Sequence, residues 1–162
     1  MSLLALAGAA APARAADGCL VLLCLAAPDW QTIPACVPPV EQVLQDLAHG
    51  RGFPTCAMAG PGNSARQDRA SGTTDCPPQY IRFEETESGR TPTCEYQGVV
   101  TITLNGRPFT RTWWSFSGDT VTEFSAAAKT QLGRWNSRFD TDYATWLAQQ
   151  TPPGPPPIEP GT

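Results

Sequence analysis

Apolar residues recur at helical spacing in two stretches near the start of the chain. Leu20, Leu23 and Ala27 fall on one helical face, within a run (Cys19 to Ala27) that is apolar throughout. A short helix is predicted there, with a buried strand over Val21 to Leu25 as the alternative. Val40, Val43, Leu44 and Leu47 repeat at three- and four-residue steps. They predict a second helix that opens at Pro38-Pro39, where a first turn tolerates proline, and closes near His49-Gly50. The period then changes. Tyr96 to Leu104 alternates in part between apolar residues and threonine, Asn105-Gly106 follows, and Pro108 to Phe116 reads as the returning strand. Asn-Gly between two such runs is a strong hairpin signal. Thr120-Val121-Thr122-Glu123 has the form of a capping box. Phe124, Ala128, Trp135, Phe139 and Leu147 continue at helical steps, so a long amphipathic helix to about Gln149 is predicted, with a bend at Gly133 or near Asp140.

The segments between are polar. Gly60 to Asp75 is rich in Gly, Ser, Thr and Asn and predicts a mobile connection. Glu84, Glu85 and Glu87 before Gly89 predict a solvated acidic turn. The pattern as a whole gives an α+β domain with N-terminal helices, a β-hairpin and a long C-terminal helix.

The two ends differ from this domain. Residues 2–16 are small and apolar, and Ala13-Arg14-Ala15-Ala16 fits a small-x-small cleavage rule, although no Lys or Arg precedes the apolar run. Residues 1–15 are therefore predicted to be a signal peptide. Residues 151–162 are proline-rich and predict a disordered tail. Residues 16–150 make the single domain.

Six cysteines follow the leader: Cys19, Cys24, Cys36, Cys56, Cys76 and Cys94. An even set in a short exported chain predicts a disulfide framework. No Cys-x-x-Cys occurs, which argues against a zinc site or a thioredoxin-like exchange motif. A Cys76–Cys94 bridge would tie the hairpin entrance to the preceding loop, and it is one guess among roughly 15 connectivities. Export and oxidised cysteines together point to the periplasm.

Charge and hydropathy exclude more than they identify. The net charge is −4 with no polybasic block, so direct nucleic-acid binding is not expected. Beyond the leader, no apolar run reaches the length of a membrane span. His49 is the only histidine and sits at a helix end. Asp140 and Asp142 fall on different helical faces, and Ser117-Gly118-Asp119 reads as a turn. No cofactor or metal motif is present. The pointed surface candidate is Arg111-Thr112-Trp113-Trp114. Strand geometry sends Trp113 and Trp114 to opposite sides. Either one of them joins Arg111 in a protein-binding patch, or both are packed by separate elements.

Asp17-Gly18-Cys19-Leu20-Val21-Leu22-Leu23-Cys24-Leu25, then Cys36, the Val40 to Leu47 helix, Phe53 and Cys56, resembles the N-terminal pattern of the TrbM/KikA family of conjugal transfer proteins. Trp135-Asn136-Ser137-Arg138-Phe139 is similar to that family's later Asn, Arg and Phe motif. The resemblance covers Asp17 to Cys56 and, more loosely, Leu132 to Phe139. Cys76, Cys94 and the Asn105-Gly106 hairpin lie outside it. It implies a periplasmic accessory of a conjugative type IV secretion system, with envelope proteins as partners and no known active site. The competing expectation is a secreted or periplasmic hydrolase, which would gather Asp119, Glu123, Asp140 or His49 in a cleft, or an inhibitor of one. An inhibitor of a hydrolase would instead present a rigid loop within Gly50 to Gly60.

Overall fold

The computed structural model describes residues 16–150. The predicted leader and the proline-rich segment lie outside the described residues. Helix α1 (Gly18–Leu25) starts because the Asp17 carboxylate accepts the free N–H groups of Cys19 (2.9 Å) and Leu20 (3.4 Å). Helix α2 (Val37–Ala48) carries prolines in its first turn and buries Val40, Val43, Leu44 and Leu47. Trp30 lies in a single 3-10 turn (Trp30–Thr32) between them and is buried in the same core.

Six strands follow. β1 (Ser64–Arg69), β4 (Gly98–Leu104), β5 (Arg107–Trp114) and β6 (Thr120–Phe124) form one antiparallel sheet in the order β1-β4-β5-β6. β2 (Ile81–Thr86) and β3 (Gly89–Cys94) form a separate hairpin, mostly exposed. Helices α3 (Ala126–Leu132) and α4 (Arg138–Ala148) close the domain. The Asn105-Gly106 turn joins β4 to β5 as expected. Both residues have positive φ (53° and 75°), the conformation this two-residue turn demands.

The pleat divides the sheet into two faces. Val100, Ile102 and Trp114 pack against α1 and α2. Val99, Trp113 and Val121 face the other way, toward Ala70, Tyr80, Tyr96 and Phe139. The three bridges are Cys19–Cys56, Cys24–Cys36 and Cys76–Cys94. The first two staple α1 to the segment before β1 and to the start of α2. The third is the expected Cys76–Cys94 pair, but it ties the segment before β2 to the end of β3, closing the base of the β2–β3 hairpin, which was not expected.

Four expectations are corrected. The connection over Gly60 to Asp75 contains β1, whose polar sequence carries no apolar alternation. It is a strand because β4 pairs with all six of its residues, from Ser64–Thr103 to Arg69–Gly98. Its charged, polar character suits an exposed sheet edge. The predicted acidic turn is mostly strand: Glu84 and Glu85 lie in β2, and only Glu87 sits in the turn. Thr120 to Glu123 does not cap a helix. The Thr-Val-Thr run is β-branched and pairs with β5, with the Thr112 and Thr122 hydroxyls 3.0 Å apart. The real cap is Ser125, whose hydroxyl accepts the Ala128 N–H at 3.1 Å. The long helix is two helices, broken where Gly133 adopts φ 73°.

Candidate docking cleft beneath the C-terminal helix

Register builds the cleft. On the sheet face away from α1 and α2, Arg111 of β5 stands opposite Glu123 of β6, and Trp113 opposite Val121. Trp113 forms the floor at 1% exposure, and its indole N–H donates to the Asp75 carbonyl at 2.8 Å. The Arg111 guanidinium lies over the Trp113 ring (4.7 Å to the centroid), 3.2 Å from the Asp75 carboxylate and 3.9 Å from that of Glu123. Phe139 of α4 stacks on Trp113 with centroids 5.4 Å apart. Pro77, Pro78 and Gln79 make one wall, and Phe139, Asp140 and Tyr143 the other, around a cavity of about 560 Å³.

Helix α4 buries none of its residues fully, so its seat depends on a few contacts. Besides Phe139, these are polar. Arg138 grips both oxygens of Asp119 (2.7 and 2.9 Å) and donates to the Thr120 carbonyl. The Tyr96 hydroxyl donates to Asp119 at 3.0 Å, and the Tyr80 hydroxyl to Asp142 at 2.8 Å. Asp140 accepts from Lys129 (2.7 Å) and from the Trp135 indole (2.8 Å). Beyond the cleft, Tyr143 stacks on Trp146 at 5.7 Å, and Tyr143 and Leu147 are exposed. Phe139, Tyr143, Trp146 and Leu147 thus form an aromatic and aliphatic row running from the cleft onto the open face of α4.

Titration follows this geometry. The Arg138 guanidinium holds the Asp119 carboxyl below the usual carboxylate range. Burial pushes the Glu123 carboxyl up, with Arg111 and Lys129 only partly opposing it. Burial, with Asp142 and Asp119 beside them, also raises the Tyr80 and Tyr96 hydroxyls well above the ordinary phenol value. Both tyrosines therefore stay protonated as hydrogen-bond donors. Because the folded-state pKa of Asp119 is depressed, its contribution to stability is present above the unfolded carboxylate value, about 4. That contribution is lost as pH falls from there through the lowered folded value. Hydrogen exchange should show α4 amides losing protection below about pH 4 while those of β4 and β5 hold. Arg138→Met should show the same loss already at pH 6. Equal protection of α4 in both proteins would contradict the clasp.

The sequence-predicted residues separate. Arg111 and Trp113 meet in the cleft, but Trp113 is its floor and not an exposed anchor. Trp114 lies on the opposite face, buried against α1 and α2, with its ring seated where a Cβ on Gly98 would come within 2.5 Å. The expected exposed tryptophan beside Arg111 is therefore absent from β5, because both faces of the sheet are covered. His49 caps α2, with Nδ1 2.7 Å from the Gln45 carbonyl, and is not among the residues lining the cleft. All six cysteines are bridged. Among the described residues, no His, Cys, Asp and Glu group of three or more is placed to hold a metal ion, and no helix is long and apolar enough to cross a membrane.

Gln79 and Tyr143 are lining residues that sequence reasoning missed; Glu123 and Asp140 were expected together only in the hydrolase reading, and of its other two residues neither Asp119 nor His49 lines the cleft. The β-branched Thr-Val-Thr before Glu123 was the available signal for its place on a strand. Gln79 is buried, and neither its amide nitrogen nor its amide oxygen has a hydrogen-bond partner among the described residues. Each unpaired buried group costs about 1–3 kcal/mol.

No family model matches the chain, and no curated protein or solved structure does so either.

Proposed function

We propose that the chain is a non-enzymatic periplasmic accessory of a conjugative type IV secretion system that works by protein–protein contact. The observation that carries the docking reading is the aromatic row of α4, which continues the cleft into solvent. Exposed aromatic side chains beside a concave, partly charged site are a common form of protein interface. Of the expected Arg111, Trp113 and Trp114, the proposed docking surface keeps Arg111 and adds Phe139, Tyr143, Trp146 and Leu147. The three bridges fit an oxidising compartment such as the periplasm. The conjugation assignment rests on the resemblance of Asp17 to Cys56 to TrbM/KikA proteins. Loss of the encoding gene should lower DNA transfer, and the intact gene should restore it. Unchanged transfer would remove the conjugation assignment and leave the docking surface to be judged separately.

One observation favours a periplasmic hydrolase as a second reading. Glu123 and Asp140 line the same cleft in unlike environments, the first with a raised pKa and the second ion-paired to Lys129. Release of small products from isolated envelope material, abolished by Glu123→Gln, would move the chain to that class.

A further inference from the structure

Within the docking reading above, we propose that the cleft takes a lysine or arginine side chain carried on an extended peptide segment of the partner. The cavity of about 560 Å³ admits a few residues and not a folded domain. Its apolar surfaces are Pro77, Pro78, Trp113, Phe139 and Tyr143, which suit an aliphatic stem and offer ring faces to a cation. Its charge is unbalanced. Asp75, Glu123 and Asp140 line it against Arg111 alone. Arg111 is already held by Asp75 and the Trp113 ring, and Lys129 answers Asp140. Glu123 is left with the weakest partner, its one ion-pair contact among the described residues being 3.9 Å long.

Gln79 adds an independent pointer. It lines the cleft at 5% exposure, with its amide N–H and C=O groups both unpartnered and shut off from solvent among the described residues, so a bound peptide reaches them by a shift of this side chain. A side-chain amide offers one donor edge and one acceptor edge, the pattern that matches a peptide bond. A lone small cation could take Glu123 and the Gln79 oxygen but would leave the Gln79 amide N–H unpaired, whereas a cationic side chain on a peptide backbone answers both. The chain's own residues 151–162 carry Glu159 and no Lys or Arg, so charge argues against them as the occupant.

The test is a titration of the full-length, isotope-labelled, oxidised protein, followed by NMR at the Trp113 indole and Gln79 amide. The probes are acetyl-Pro-Arg-Pro-amide, the same peptide with neutral citrulline for arginine, and a peptide of residues 151–162. The arginine peptide should shift both resonances and bind about tenfold more tightly than the citrulline peptide, the scale of one partly desolvated charge pair. Glu123→Gln, with its spectrum showing an intact fold, should erase most of that difference. Gln79→Leu should weaken both peptides while raising Tm, because it removes an unpaired amide. Equal binding of the arginine and citrulline peptides, preferential binding of residues 151–162, or no binding by any probe would overturn the inference. None of those results decides whether partners dock on α4, which in-cell crosslinking reads separately.

Discussion

Trp113→Ala is expected to destabilise the domain by about 3–5 kcal/mol, the range for emptying a large aromatic from a core. Trp113 is 1% exposed and links β5 to α4 and to the Asp75 segment. Its ring stacks on Phe139, its N–H satisfies the Asp75 carbonyl, and its other contacts reach Tyr80, Tyr96, Val99 and Val121 through one apolar cluster. Truncation would leave a hole under α4 and remove the platform beneath Arg111. Since α4 buries nothing fully, its loss of protection should exceed that of the sheet. Urea titration with the disulfides intact gives the stability change, and hydrogen exchange gives its location. A change below about 1 kcal/mol would mean that the cleft floor is not a packed core.

Removing the Cys24–Cys36 bridge by a double alanine substitution is expected to cost about 3–5 kcal/mol. Two terms add. The bridge spans a sequence separation of 12, and closing a loop of that order restricts the unfolded chain by about 3 kcal/mol. Both cysteines are also buried among Val21, Leu25, Trp30 and Val40, so their sulfur atoms fill core volume. For a small domain with typical stability of roughly 5–15 kcal/mol, this is a large share. The Cys76–Cys94 bridge has a similar separation, 18, but its double substitution should act mainly at the base of the exposed second hairpin. Thermal unfolding of the two double variants checks the contrast. A smaller loss for the Cys24–Cys36 pair would contradict the placement of the core.

Legibility in the sequence followed the source of each element's stability. α2 was readable because Val40, Val43, Leu44 and Leu47 carry their own period and Pro38-Pro39 and Gly50 mark its ends. The β4–β5 hairpin was readable because Asn105-Gly106 fixes the turn locally. β1 was not, since Ser64 to Arg69 becomes a strand only by pairing with a distant partner, Thr103 to Gly98. β6 was hidden by a local pattern that fits two structures: Thr-x-x-Glu can cap a helix, but here tertiary pairing with β5 decides. At the candidate site, Arg111 and Trp113 stood out by residue type. Gln79, Glu123 and Tyr143 come from three separate segments and meet only through the fold. The exposure of Trp114 could not be read either, because nothing in its own strand says that α1 and α2 cover that face.

The most direct measurement is photo-crosslinking in the native host from a reactive residue placed at position 143, with position 114 as the buried control. Specific crosslinks are expected from position 143 to envelope subunits of a conjugation apparatus, lost when Trp146 and Leu147 are replaced by serine, and none from position 114. Crosslinks to the same subunits from position 114, or none from position 143 at native expression with a working crosslinking control, would contradict docking through the cleft and α4.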